Sequence, residues 1–164
     1  MKQMKKILKN VAIAGTVGAL LLACTQTITS QQVVNDLTGV TNTLQAIDKD
    51  LVNTLTVEQQ NKVAVDLSQA QAVLAQLSAD LPATAGASKA QVIDGYINDV
   101  VGVIATVAPS AQIQAINAVL PIVEAFINQY LPQSLTQVTA AQFQRPKSTM
   151  PIADARKLLN IQTN

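Results

Sequence analysis

Apolar residues along the chain fall into an alternating spacing of four and three. Val33, Leu37, Val40, Leu44, Ile47 and Leu51 follow it, with Asp36, Asn42, Gln45 and Asp48 off the seam. An apolar stripe at that period, bordered by polar positions, marks an amphipathic helix packed on one side. Val63, Leu67, Ala70, Leu74, Leu77 and Leu81 repeat the rhythm, shifted by two positions from a continuation of the first seam. At about 3.6 residues per turn the shift swings the stripe roughly 200° around a straight helix, which argues against one continuous element. Thr56 and Gln59 have the spacing of a capping box, in which a hydroxyl and an amide satisfy each other's exposed backbone donors. A turn is predicted near Leu55 and a second helix from Val57 to Leu81.

Pro82 to Ala87 then interrupts the pattern, since proline and glycine punctuate regular structure. Ser88 and Gln91 offer another capping box, and Val92, Ile93, Tyr96, Ile97, Val100, Ile104 and Val107 predict a third helix closing before Pro109. The same stretch also admits a hairpin, because Asp94-Gly95 suits a two-residue turn and Val100 to Val107 is rich in β-branched residues. Helix is the favoured reading, because a lone strand pair is marginal in water.

Ser110 is the expected cap of a fourth segment carrying Ile113, Ile116, Val119, Leu120, Val123, Phe126, Ile127 and Tyr130. Pro121 inside it removes a backbone donor and predicts a kink or a break, and Pro132 closes it. Residues 133–149, rich in Gln, Thr and Ser, read as a linker or strap. Pro151, suited to a first helical position, opens a last short helix with Asp154 early and Arg156 and Lys157 late, as the helix dipole favours. Ile152, Leu158, Leu159 and Ile161 are available to dock on the bundle or on a partner. The expected fold is all-α: an up-and-down bundle of about four helices over residues 31–131, a linker or strap over 132–149, and a short C-terminal helix within 150–164.

The first thirty residues are patterned differently. Lys2, Lys5, Lys6 and Lys9 precede an apolar run from Val11 to Leu22, then Ala23 and Cys24. A basic stretch, a short apolar stretch and a small residue before the cut are the parts of a secretory signal peptide. Leu21-Leu22-Ala23-Cys24 resembles the lipobox of bacterial lipoproteins, although Leu22 is bulkier than the small residue usual there. The resemblance covers residues 1–24 alone and implies no fold for the rest. It implies cleavage between Ala23 and Cys24, removal of residues 1–23 as the leader, and acylation of Cys24 as the first mature residue. Residues 24–30 are then a lipid tether.

A membrane-spanning helix needs about 20 apolar residues, and Val11 to Leu22, diluted by Gly15, Thr16 and Gly18, is shorter. The partner implied by the resemblance is a membrane, bound through acyl chains such as palmitate on Cys24, and two chains suffice for stable anchoring. The location implied is the bacterial cell envelope. Thr25 is not the aspartate that the family associates with inner-membrane retention, so the outer membrane is favoured where there are two. From Thr25 to Ser30, at up to about 3.6 Å per residue, the tether reaches roughly 20 Å.

Composition narrows the chemistry. The chain has no histidine and a single cysteine, so no Ser-His or Cys-His nucleophile pair, histidine metal site or internal disulfide can form. Asp48-Lys49-Asp50 is the closest carboxylate pair, but Val52 occupies the next calcium-loop ligand position and the loop glycine is missing. The glycines form no phosphate-cradling motif. These features point to a non-catalytic protein without cofactor or metal.

Four lysines leave with the leader, so seven of the eleven Lys and Arg face ten Asp and Glu, and +1 becomes −3. No basic patch of the kind that tracks nucleic acid is present, and none is expected as a partner.

The chain is 49% hydrophobic but only 2% aromatic, so small and medium side chains fill its core and let helices approach closely. Val100, Val101, Val103, Ile104, Leu120, Ile122 and Val123 are apolar on more than one side, which suits a dense bundle or a face turned to another surface. Two functions fit. One is a lipid-anchored structural or protein-interaction module that binds an envelope protein or itself. The alternative is a carrier or sensor holding an apolar small molecule between helices.

Overall fold

The computed structural model describes residues 29–81, 84–108, 110–131 and 147–163. They form helices α1 (Ser30–Leu51), α2 (Val57–Asp80), α3 (Thr84–Ile104), α4 (Ser110–Tyr130) and α5 (Ile152–Leu158). The fold is an all-α, up-and-down bundle of four helices with a short C-terminal helix added to it. Helices α1 to α4 close a ring of neighbours, α1 also meets α3 across the middle, and α5 packs on α4. No helix among the described residues is long and apolar enough to cross a membrane.

Most positions of the two predicted seams are in the core, with Leu51, Leu74 and Leu81 half-buried beside it. Val33, Leu37, Val40, Leu44 and Ile47 of α1 are buried, as are Val63, Leu67, Ala70 and Leu77 of α2. The chain turns between them through Leu51 to Leu55, where the amides of Thr54 and Leu55 both donate to the carbonyl of Leu51. The capping box follows: the Gln59 amide donates to Thr56 Oγ1 at 3.3 Å and the Thr56 amide to Gln59 Oε1 at 2.9 Å. Thr29 caps α1 similarly, accepting from the Gln32 amide at 3.1 Å.

The third element departs from expectation at its start. Helix α3 begins at Thr84, so Ser88 lies inside it and is not its cap. The alanines between Thr84 and Ala90 are strong helix formers, and Gly86 is the place where the turn closes tightly. A Cβ there would lie 2.5 Å from Leu81 Cδ2 and 2.9 Å from the Asp80 carbonyl oxygen. Asp94-Gly95 continues the helix and makes no hairpin. Ile93, Ile97, Val100, Val101 and Ile104 are buried, whereas Val92 and Val107 are exposed. Burial of both Val100 and Val101 accounts for the two-sided apolar character of α3, which packs on α2, α4 and α1.

Helix α4 runs through Pro121 as one element, so of the predicted kink or break the break does not occur. Pro121 is exposed, so its ring faces away from the core, while nearby Leu120 and Val123 are buried. The helix begins at Ser110 itself. Helix α5 likewise begins one residue after Pro151, which occupies the cap position.

Up-and-down order places Thr29, the α2–α3 turn and Leu131 at one end of the bundle. The α1–α2 and α3–α4 turns share the other, and exposed Val52, Val57 and Val107 lie in or beside them. At that end a groove of about 330 Å³ runs between Ile47, Asp50 and Leu51 of α1 and Val107, Ala108 and Gln112.

Candidate functional site

Ala23 and Cys24, the residues of the expected cleavage and lipidation, lie outside the described residues. Their nearest described neighbour is Thr29, the cap of α1, so the chain enters the bundle at the end it shares with the α2–α3 turn.

The most developed polar arrangement on the bundle joins α1 to the C-terminal segment. Asp36 is fully buried, contrary to its expected place off the apolar seam. Arg156 grips it from α5 in a two-pronged geometry, Nε donating to Oδ1 at 2.9 Å and Nη2 to Oδ2 at 2.8 Å. Gln32 Nε2 donates to the same Oδ1 at 2.8 Å. Paired donors of this kind match the carboxylate's planar geometry, and the buried charge is compensated on both oxygens.

Beyond Arg156 the chain makes a left-handed helix end. Asn160 has φ 53°, its amide donates to the Lys157 carbonyl at 3.2 Å, and the Ile161 amide donates to the Arg156 carbonyl at 2.8 Å. These two bonds constitute a Schellman motif, and asparagine is among the few residues that tolerate the conformation. The turn sends Ile161 onto α1 at Gly39. A Cβ on Gly39 would lie 2.1 Å from Ile161 Cγ1 and 3.3 Å from the Leu159 carbonyl oxygen, so the close approach requires glycine. One turn earlier on α1, Asn35 Nδ2 donates to the main-chain carbonyl of Gln162 at 3.1 Å. The tail therefore descends α1 antiparallel to it, from Gly39 to Asn35. Of the apolar residues expected to dock on the bundle or a partner, Leu159 and Ile161 are buried here, Ile152 is half-buried and Leu158 is exposed.

A groove of about 560 Å³ extends from this tail along α1 towards α4. Asn35, Thr38, Asn42 and Thr43 line it from α1, Gln112 from α4, and Asn160 and Gln162 from the tail, with no charged side chain among the lining residues. Gln112 Oε1 is buried without a hydrogen-bond partner among the described residues.

Among the described residues, two ionic clamps hold α2 to α3. Lys62 Nζ lies 2.9 Å from Asp66 and 3.1 Å from Asp99 across the interface. Its hydrogen bond to Asp66, then that to Asp99, raise the ammonium pKa above the ordinary lysine value. Nearer the α2–α3 turn, Lys89 pairs with Asp80 and also reaches Gln76 at 3.3 Å. Asp48, in the last turns of α1, has its carboxyl pKa raised by partial burial. Asp50 stands at the mouth of the apolar groove, and the two carboxylates form no metal cluster; no such cluster exists among the described residues. Asp94 is buried and accepts from Asn98 Nδ2 at 3.1 Å, whereas Asp99 is turned outward to Lys62.

The Asp36–Arg156 pair and the Gly39 notch were missed by sequence reasoning. The partners stand 120 residues apart, and no local period links them. The one available signal was Asp36 itself, an acidic residue immediately beside the core position Leu37. No protein-family model, curated protein or solved structure matches this chain.

Proposed function

We propose that the protein is a lipid-anchored component of a bacterial cell envelope, held through acyl chains on Cys24 and acting as a non-catalytic interaction module. The observation that carries this reading is the leader: four lysines, a short apolar run, and Leu21-Leu22-Ala23-Cys24 immediately before a polar tether. The fold supports it in two respects. The tether meets the bundle at Thr29, so an anchor on Cys24 holds that end within roughly 20 Å of the bilayer. The opposite end, with Val52, Val57 and Val107 exposed, then faces away from the lipid. Dense filling of the interior by Leu37, Ile97, Leu120 and Phe126, all fully buried in one cluster, favours a surface-acting module over a carrier with a ligand between its helices.

Fatty-acid labelling of cells expressing the wild type and Cys24→Ala, followed by fractionation, tests the proposal. Wild type is expected to take up label and sediment with membranes, and the variant to stay unlabelled, uncleaved and redistributed. Equal labelling of the two proteins would overturn it.

A further inference from the structure

The segment formed by α5 and the tail behaves as a ligand carried on the same chain. Helix α5 has 7 residues, too few to persist as a helix in water without a surface to pack on, so the segment takes its shape from its seat. The seat is occupied and its contacts are explicit. Asp36 receives Arg156 in a two-pronged contact, Gly39 leaves the space that Ile161 fills, and Asn35 donates to the Gln162 carbonyl. The central contact is a buried ion pair, with Asp36 wholly enclosed and the Arg156 side chain 11% exposed. An apolar pair of similar volume would hold a permanent internal contact at least as well. What a buried pair adds is discrimination, because a segment without the matching charge leaves the other charge uncompensated. None of these contacts depends on which copy of the chain supplies the segment.

We propose that two membrane-anchored copies of this chain exchange α5 and its tail, Arg156 of each closing on Asp36 of the other. The stretch from Leu131 to Lys147, at up to about 3.6 Å per residue, spans as much as about 55 Å. A bundle two helices across measures about 20 to 25 Å, so that stretch is long enough to carry the segment to a neighbouring bundle. The seat lies near the start of α1, since Ser30 to Gly39 covers about 14 Å of the helix axis. Anchored through Cys24, neighbouring molecules hold their seats at one height above the bilayer, level with each other's segments. Internal and exchanged forms contain the same contacts, so local concentration sets the balance between them, and confinement to a membrane raises it. The inference deepens the reading of the protein as an interaction module, and it rests on that reading for the common height.

The full chain is expressed with Gly39→Cys and Ile161→Cys together, and its membranes are oxidised. A Cβ at position 39 would meet Ile161 Cγ1, so the two introduced sulfurs come within disulfide range whenever the segment is seated. A segment docked on its own bundle closes an internal loop and leaves a monomer on a non-reducing gel, whereas an exchanged segment joins two copies. A covalent dimer is expected, and Arg156→Asp added to the pair is expected to abolish it. Co-expression of Asp36→Arg with Arg156→Asp supplies a second measurement. Either variant alone opposes like charges in every arrangement, and only exchange between the two matches both pairs. A heterodimer is therefore expected from the mixture, with no dimer from either variant alone. Monomer as the sole oxidised product, a dimer that survives Arg156→Asp, or absence of the heterodimer would each overturn the proposal. Monomer alone with normal Cys24 labelling refutes the exchange and leaves the anchor, and an Arg156-dependent dimer without labelling does the reverse.

Discussion

Two glycines in the middle of helices illustrate how one residue type serves opposite ends. Gly95 on α3 has nothing within 4 Å of where a Cβ would stand, while a Cβ on Gly39 would collide with Ile161. Gly95→Ala should therefore stabilise the fold by about 1 kcal/mol through helix propensity alone. Gly39→Ala should cost about 2 kcal/mol as Ile161 is forced from its place. Denaturant melts of both variants read the two signs. Asp36 is a sharper case, because its carboxylate is buried and, among the described residues, is matched by Arg156 and Gln32. Arg156→Gln leaves a charge uncompensated and should cost about 3 kcal/mol, whereas Asp36→Leu combined with Arg156→Met should recover most of that loss. A double-mutant cycle by chemical denaturation measures it, and near-additive losses would contradict the assigned pairing.

At the scale of elements, α1 and α2 were legible because each buries one stripe, and one stripe leaves a four-and-three period and a capping box behind it. Helix α3 was legible in kind but not in extent. It buries two sides, which blurs the period, and its alanine-rich first turns extend the helix past Ser88 back to Thr84. Of the kink or break expected at Pro121, the break did not occur: α4 continues through the proline, whose ring lies on the exposed side. The seating of α5 was illegible, since its determinants are a contact partner 120 residues away and the absence of a side chain at Gly39. Between α2 and α3, the Lys62 clamp gives a pH signature. Its pKa is raised in the folded state, so its contribution is complete below the ordinary lysine value and is lost as pH climbs through the raised one. Lys62 is half exposed, so solvent screening keeps the effect small. The wild type should lose more melting temperature than Lys62→Met across the alkaline range, and parallel curves would contradict the clamp.

For the molecule as a whole, where the C-terminal tail lies relative to the start of α1 matters more than any single contact. The described tail reaches Asn35, near the start of α1, and α1 begins beside its cap Thr29, so these two segments lie towards one end of the bundle. Anchored at Cys24, the protein would hold its tail near the bilayer and turn the α1–α2 and α3–α4 turns outward. The candidate anchor was legible as a motif in the first two dozen residues, whereas the groove beside the tail depends on how α1, α4 and the tail pack. The account stands on acylation at Cys24. The direct measurement is the intact mass of the protein extracted with detergent from its native membranes. The expected species begins at Cys24 and carries the added mass of a diacylglyceryl group with or without a further N-acyl chain. A species that retains Met1 to Ala23, or begins at Cys24 with no lipid mass, would contradict it.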